Sequence, residues 1–119
     1  MKITKRRQGE TVVFALDGQP AVPGGERAWE AIKAALAAGE TRILLDMEQV
    51  SKLDSEEVGD LLASHTSARR SGAQMVLVHL SPRVDEVLRI TKLIGVLDVY
   101  DDEVEALRAL EATRPAPRA

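Results

Sequence analysis

Hydrophobic positions change their period several times along this chain. Residues 11–16 (TVVFAL), 42–46 (RILLD) and 74–78 (QMVLV) are short apolar runs rich in β-branched residues, the pattern of strands. The last two are apolar at 43–45 and 75–78, as expected for central strands buried on both faces. Between them the period lengthens. Trp29, Ile32 and Leu36 fall at helical spacing, with Ala28 and Ala35 beside them. Val58, Leu61, Leu62, His65 and Ala68 form a second stripe, read here as the inward face of a helix. Val84, Val87, Leu88 and Thr91 form a third, and Val104, Leu107 and Leu110 a fourth. Ile3 and its neighbours make a weak first strand, turned into the second by Gly9-Glu10. Val99-Tyr100 is a short last strand.

Punctuation falls where these elements need it. Gly39 and Gly72 follow helical stripes, where a chain leaving a helix turns left-handed. Asp54 with Glu57 three residues on reads as a capping box. Ser81-Pro82 is a cap followed by a first-turn proline. Asp101 or Asp102 opens the last helix. The resulting order is ββαβαβαβα. Strand–helix alternation implies parallel pairing in a helix-covered sheet, and the opening hairpin makes that sheet mixed: an α/β fold. One domain is expected over residues 1–112. Residues 113–119 (TRPAPRA) carry two prolines and no apolar period, and read as a disordered tail.

Composition narrows the function. Of 119 residues, 45% are apolar but only 3% aromatic, so the core is aliphatic and few faces exist for stacking bases. Net charge is −3, the wrong sign for a nucleic-acid binder. Lys2, Lys5, Arg6 and Arg7 form a local basic cluster, read as a charged edge strand that resists strand-to-strand aggregation. Without cysteine there is no disulfide framework, thiolate metal site or cysteine nucleophile, which suits a reducing, cytoplasmic setting. The segment MKITKRRQGE lacks the apolar core of a signal peptide, and no apolar run approaches the ~20 residues of a membrane span.

Candidate chemistry is sparse. His65 lies on an apolar stripe and His79 ends a strand. Neither has other metal ligands at short spacing in sequence, so both read as structural, with no metal and no cofactor expected. Gly24-Gly25 precedes a helix but lacks the rest of a phosphate-binding loop. No nucleophile–base pair can be assembled, so an enzyme is not expected. There remains the segment 50–62 (VSKLDSEEVGDLL), where Asp-Ser opens a helix after a buried strand. On physics alone Asp54 is a cap and Ser55 an ordinary first-turn residue. A hydroxyl there is also solvent-facing, and a helix N-terminus tolerates a phosphate.

The layout over about residues 3 to 110 resembles the STAS domain, specifically the stand-alone bacterial anti-sigma-factor antagonists. The resemblance is carried by residues 13–18 (VFALDG), 43–46 (ILLD), 50–59 (VSKLDSEEVG), 72–77 (GAQMVL), 81–84 (SPRV) and 93–99 (LIGVLDV). It implies a STAS-like mixed sheet with helices packed mainly on one face. It also implies a partner, an anti-sigma factor that is a serine kinase. By this resemblance the phosphorylated serine is Ser55 and its preceding aspartate Asp54. The docking surface is then Asp54, Ser55, Glu56, Glu57, Val58 and Gly59. The chain departs from the family pattern at Glu56 and Glu57, where the family has a second Ser/Thr and a glycine. The same fold also serves as a subunit of lipid-transport ABC complexes and as a stress-signalling scaffold, so those roles stand as alternatives. No oligomeric state follows from the sequence.

Overall fold

A computed structural model describes residues 2–18 and 27–112. The Gly24-Gly25 loop and the tail at 113–119 lie outside the described residues. Five strands, β1 (Lys2–Gln8), β2 (Thr11–Asp17), β3 (Arg42–Gln49), β4 (Gln74–Val78) and β5 (Asp98–Tyr100), form one sheet in the order β1-β2-β3-β4-β5. Four helices accompany them: α1 (Ala28–Ala37), α2 (Ser55–Arg70), α3 (Pro82–Ile90) and α4 (Glu103–Ala112). Leu93–Gly95 adds one turn of 3-10 helix. β1 pairs antiparallel with β2 through the expected hairpin, Gly9 taking a left-handed φ of 61°. All later pairings are parallel, so the sheet is mixed as the alternation required.

Helix placement follows from chirality. The crossovers β2→β3, β3→β4 and β4→β5 all step in the same direction across the sheet. Right-handed crossovers stepping one way put their helices on one face. Accordingly Ile32 and Leu36 of α1, Leu61 and Ala68 of α2, and Val84 and Leu88 of α3 share one core with Val12, Phe14, Ile43, Leu45, Met75 and Leu77. α4 follows the last strand and makes no crossover. It packs on the opposite face, setting Ala106 and Leu110 against Val13, Leu44, Val76 and Val78. β3 and β4 are thus covered on both sides, which is why residues 43–45 and 75–78 are continuously apolar.

The caps are local and match their sequence signals. Asp54 accepts from the Glu57 N–H at 2.8 Å, and Glu57 accepts from the Asp54 N–H at 3.0 Å. Ser81 caps α3 through the Val84 N–H. Asp102, rather than Asp101, caps α4 by accepting from the Glu105 N–H at 2.7 Å. Gly39 and Gly72 have φ of 91° and 75°. On the edge strand, Arg6 pairs with Glu103 of α4 and Arg7 with Glu40, on opposite faces, while Lys2 and Lys5 are exposed.

Two expectations need correction. Leu62 is not on the inward stripe: it is 39% exposed, and α2 instead buries Leu61, Ser64, His65 and Ala68. The third strand does not end at Asp46 but continues to Gln49, because β2 goes on pairing with it as far as Asp17↔Gln49.

Candidate functional site: the first turn of α2

Where β3 ends, Val50 is fully buried and anchors the chain, and its N–H donates to the Met47 carbonyl. Residues 51–54 then run over the surface to α2. Ser81 Oγ donates to the Ser51 carbonyl at 3.2 Å, tying this loop to the start of α3. The capping box holds Asp54 and Glu57 to each other's backbone, so the first turn of α2 has one defined geometry. Ser55 is the first residue of α2 and is exposed. Glu56 and Asp54 are exposed beside it, while Glu57, Val58 and Gly59 continue the same turn. The six residues named from the sequence therefore share one helix start. A Cβ built on Gly59 would meet nothing within 4 Å, so no contact among the described residues requires glycine there.

Arg27, at the N-cap of α1, joins this site without any local sequence signal. Its guanidinium donates to both carboxylate oxygens of Asp60, at 2.7 and 2.9 Å from Nη2, and Nη2 also lies 3.1 Å from Glu56 Oε1. The hydrogen bond to Asp60 and that carboxylate's charge raise the guanidinium above its ordinary range, with Glu56 and Glu30 adding to the effect. The carboxylates flanking Ser55 are thus engaged: Asp54 and Glu57 by the capping box, Glu56 by Arg27. Arg27 and Asp60 are 33 residues apart in sequence, and no local pattern reveals their contact.

His65 is buried as expected, only 5% exposed, and its Nε2 has no hydrogen-bond partner among the described residues. Burial pushes its imidazole below the ordinary histidine range, Arg69 adds to this, and Asp98 opposes it. His79 is not isolated from other metal-ligating groups, as its spacing along the chain suggests. Parallel pairing brings β3 and β4 into register, and the chain leaves β4 at His79 with a left-handed φ of 60°. Its Nδ1 lies 3.0 Å from Asp46 Oδ1 and 4.0 Å from Glu48 Oε2. The hydrogen bond to Asp46 raises the His79 imidazole above its ordinary range against the opposing effect of burial, and the charges of Asp46, Glu48 and Glu103 add to the rise. These neighbours come from an adjacent strand, which spacing along the chain does not reveal.

Among the described residues no helix is long and apolar enough to cross a membrane. Residues 2–106 match the STAS domain family, and the chain belongs to it. It is 29% identical over 69 residues to a Paenibacillus polymyxa protein named anti-sigma F factor antagonist, a match spanning 58% of this chain and 59% of that protein. The chain thus spans under two-thirds of that relative's length. It is 33% identical over 76 residues to a Thermotoga neapolitana protein named as a TM1081 homologue, spanning 64% of this chain and 67% of that one. Among solved structures it is similar to the anti-sigma factor antagonist SpoIIAA in its unphosphorylated form. That likeness has a TM-score of 0.72 at 23% identity, covering 94% of this chain and 100% of that one. The phosphorylated form of Bacillus SpoIIAA matches at a TM-score of 0.69 and 24% identity, covering 91% and 98%. At these identities the likeness is one of fold.

Proposed function

We propose that this chain is a cytoplasmic anti-sigma factor antagonist whose partner is an anti-sigma factor acting as a serine kinase, with Ser55 as the phosphate acceptor. The partner docks on Asp54, Ser55, Glu56, Glu57, Val58 and Gly59. In this reading the chain is a substrate and binding partner rather than a catalyst. Nucleotide and magnesium belong to the kinase.

The observation that carries the reading is the placement of Ser55. It is the exposed first residue of a helix closed by a capping box, directly after the capping aspartate. A hydroxyl there is presented to a kinase without unfolding. A phosphate there adds nearly two charges, which the helix N-terminus favours by roughly 0.3–1 kcal/mol per charge. Glu56 would oppose it, but Arg27 sits 3.1 Å from Glu56 and offsets that charge. Burying the added phosphate against a partner surface is costly, so phosphorylation releases the partner. The family membership and the names of the relatives support the partner class.

The test is capture of the native partner, followed by phosphosite mass spectrometry with ATP and magnesium. Phosphate on Ser55, retained binding by Ser55→Ala and weakened binding by Ser55→Asp are the expected results. Tight binding by Ser55→Asp with no phosphate on Ser55 would overturn the switch and favour a transport-subunit or scaffold role.

A further inference from the structure

The second cluster of ionisable groups lies on the other side of the loop that leads to Ser55. Asp46 and Glu48 are two apart on β3, so both point to the α4 face of the sheet, beyond the end of that helix's apolar contact. Asp46 pairs in register with Val78, and His79 is the next residue. The left-handed turn at His79 swings its ring back over β3. Asp46 is fixed further by accepting from the Glu48 N–H at 3.0 Å. The three donor atoms, one imidazole nitrogen and two carboxylate oxygens, all lie within 4.8 Å of one another.

The geometry points to a binding site for a divalent transition-metal ion of the zinc type, ligated by Asp46, Glu48 and His79. Bonds of about 2.1 Å to nitrogen and oxygen place tetrahedral ligand atoms about 3.4 Å apart. The observed 3.0 and 4.0 Å separations from Nδ1 bracket that value, so closure around an ion requires little more than movement of the Glu48 side chain. Glu48 can make it, being 66% exposed, whereas Asp46 is only 19% exposed and His79 31%. The donor set selects the metal class. Calcium and magnesium take all-oxygen shells, and an imidazole favours zinc, nickel, copper or cobalt. His79 ligates through Nδ1 as the neutral Nε2–H tautomer: an imidazolium releases its Nδ1 proton to solvent, and a neutral ring protonated at Nδ1 carries that proton on Nε2 instead. The metal then lies between nitrogen and oxygen. Three protein ligands leave the fourth position to water, as in open zinc sites.

The consequence for the protein is positional. From Glu48 near the end of β3 the chain runs through Val50 into the loop that ends at Asp54. From the end of β4 the chain runs through His79 to Ser81, whose hydroxyl already holds Ser51. An ion joining Glu48 to His79 therefore fastens both strand ends beneath that loop. The site itself does not depend on the identity of Ser55 as a phosphate acceptor.

The experiment is titration of Zn²⁺ into the tag-free, chelator-stripped chain by calorimetry, with Co²⁺ absorption as the report on ligand geometry. The expected result is one ion per chain, a visible Co²⁺ band, and affinity about tenfold or more weaker in both His79→Asn and Glu48→Gln. Asparagine tolerates the left-handed backbone at 79, and Glu48 is on the surface, so both variants fold. Ser55→Ala binds zinc like the parent, which separates this site from the phosphorylation reading. No binding at millimolar Zn²⁺, or undiminished binding in either ligand variant, overturns the proposal.

Discussion

Arg27 and Glu56 meet at 3.1 Å across the junction of α1 and α2, one residue from Ser55. The pair is solvent-exposed and so contributes little to stability. Its weight is on charge at the proposed docking surface. Arg27→Gln leaves Glu56 uncompensated and should weaken partner binding in the same direction as Ser55→Asp, with little change in melting temperature. Adding Glu56→Gln to Arg27→Gln should restore binding. A double-mutant cycle on partner affinity checks this, and additive effects would exclude the coupling.

Asp54 carries both halves of a capping box. Asp54→Ala should destabilise the chain by about 0.5–2 kcal/mol in urea unfolding, whereas Asp54→Asn, itself a good cap, should lose far less. Equal losses in the two variants would mean that the charge, rather than the cap, matters there.

Gly59 lies inside α2, and a Cβ placed on it would have nothing within 4 Å. Gly59→Ala should raise stability by roughly 0.5–1 kcal/mol, since alanine loses less backbone entropy in a helix. The same methyl stands on the proposed docking face, so partner affinity should fall as the melting temperature rises. A gain in both would remove Gly59 from the interface.

His65 makes stability fall on acidification. Its folded-state imidazole is held below the ordinary value by burial. Its contribution is therefore intact above the unfolded value of about 6.5, and is lost as pH falls from there towards the lowered folded value. His65→Leu should reduce the loss of urea stability between about pH 7.5 and pH 5.5. Equal losses in the two proteins would assign the acid sensitivity elsewhere.

How much is legible in the sequence depends on the range of each interaction. The capping box, the Ser81-Pro82 start and the glycines at 39 and 72 are readable because each is settled within a few residues. The alternation of strands and helices points to the mixed sheet for the same reason. Leu62 is misplaced by its stripe because Leu61 and Leu62 are adjacent on a helix and about 100° apart, so only one can face the sheet squarely. Which one does is decided by β-strands far along the chain. The extra length of β3 depends on pairing with Asp17, and its polar end at Glu48 and Gln49 carries no strand signal. Arg27 with Asp60, and His79 with Asp46, are each 33 residues apart. Both belong to the tertiary fold, and neither leaves a mark on local spacing.

Strand order in this sheet equals chain order, and that shapes how the molecule can be built during synthesis. Each strand finds its partner among residues already made, beginning with the hairpin and extending in one direction. A nascent chain that has reached β5 can assemble all five strands and the three helices on one face. Among the described residues, the cover for Val13, Leu44, Val76 and Val78 on the other face is α4, the last of the described elements to emerge. For the time a ribosome takes to add those residues, an aliphatic surface stands open on an otherwise finished sheet. Self-association of the newborn protein should concentrate in that interval.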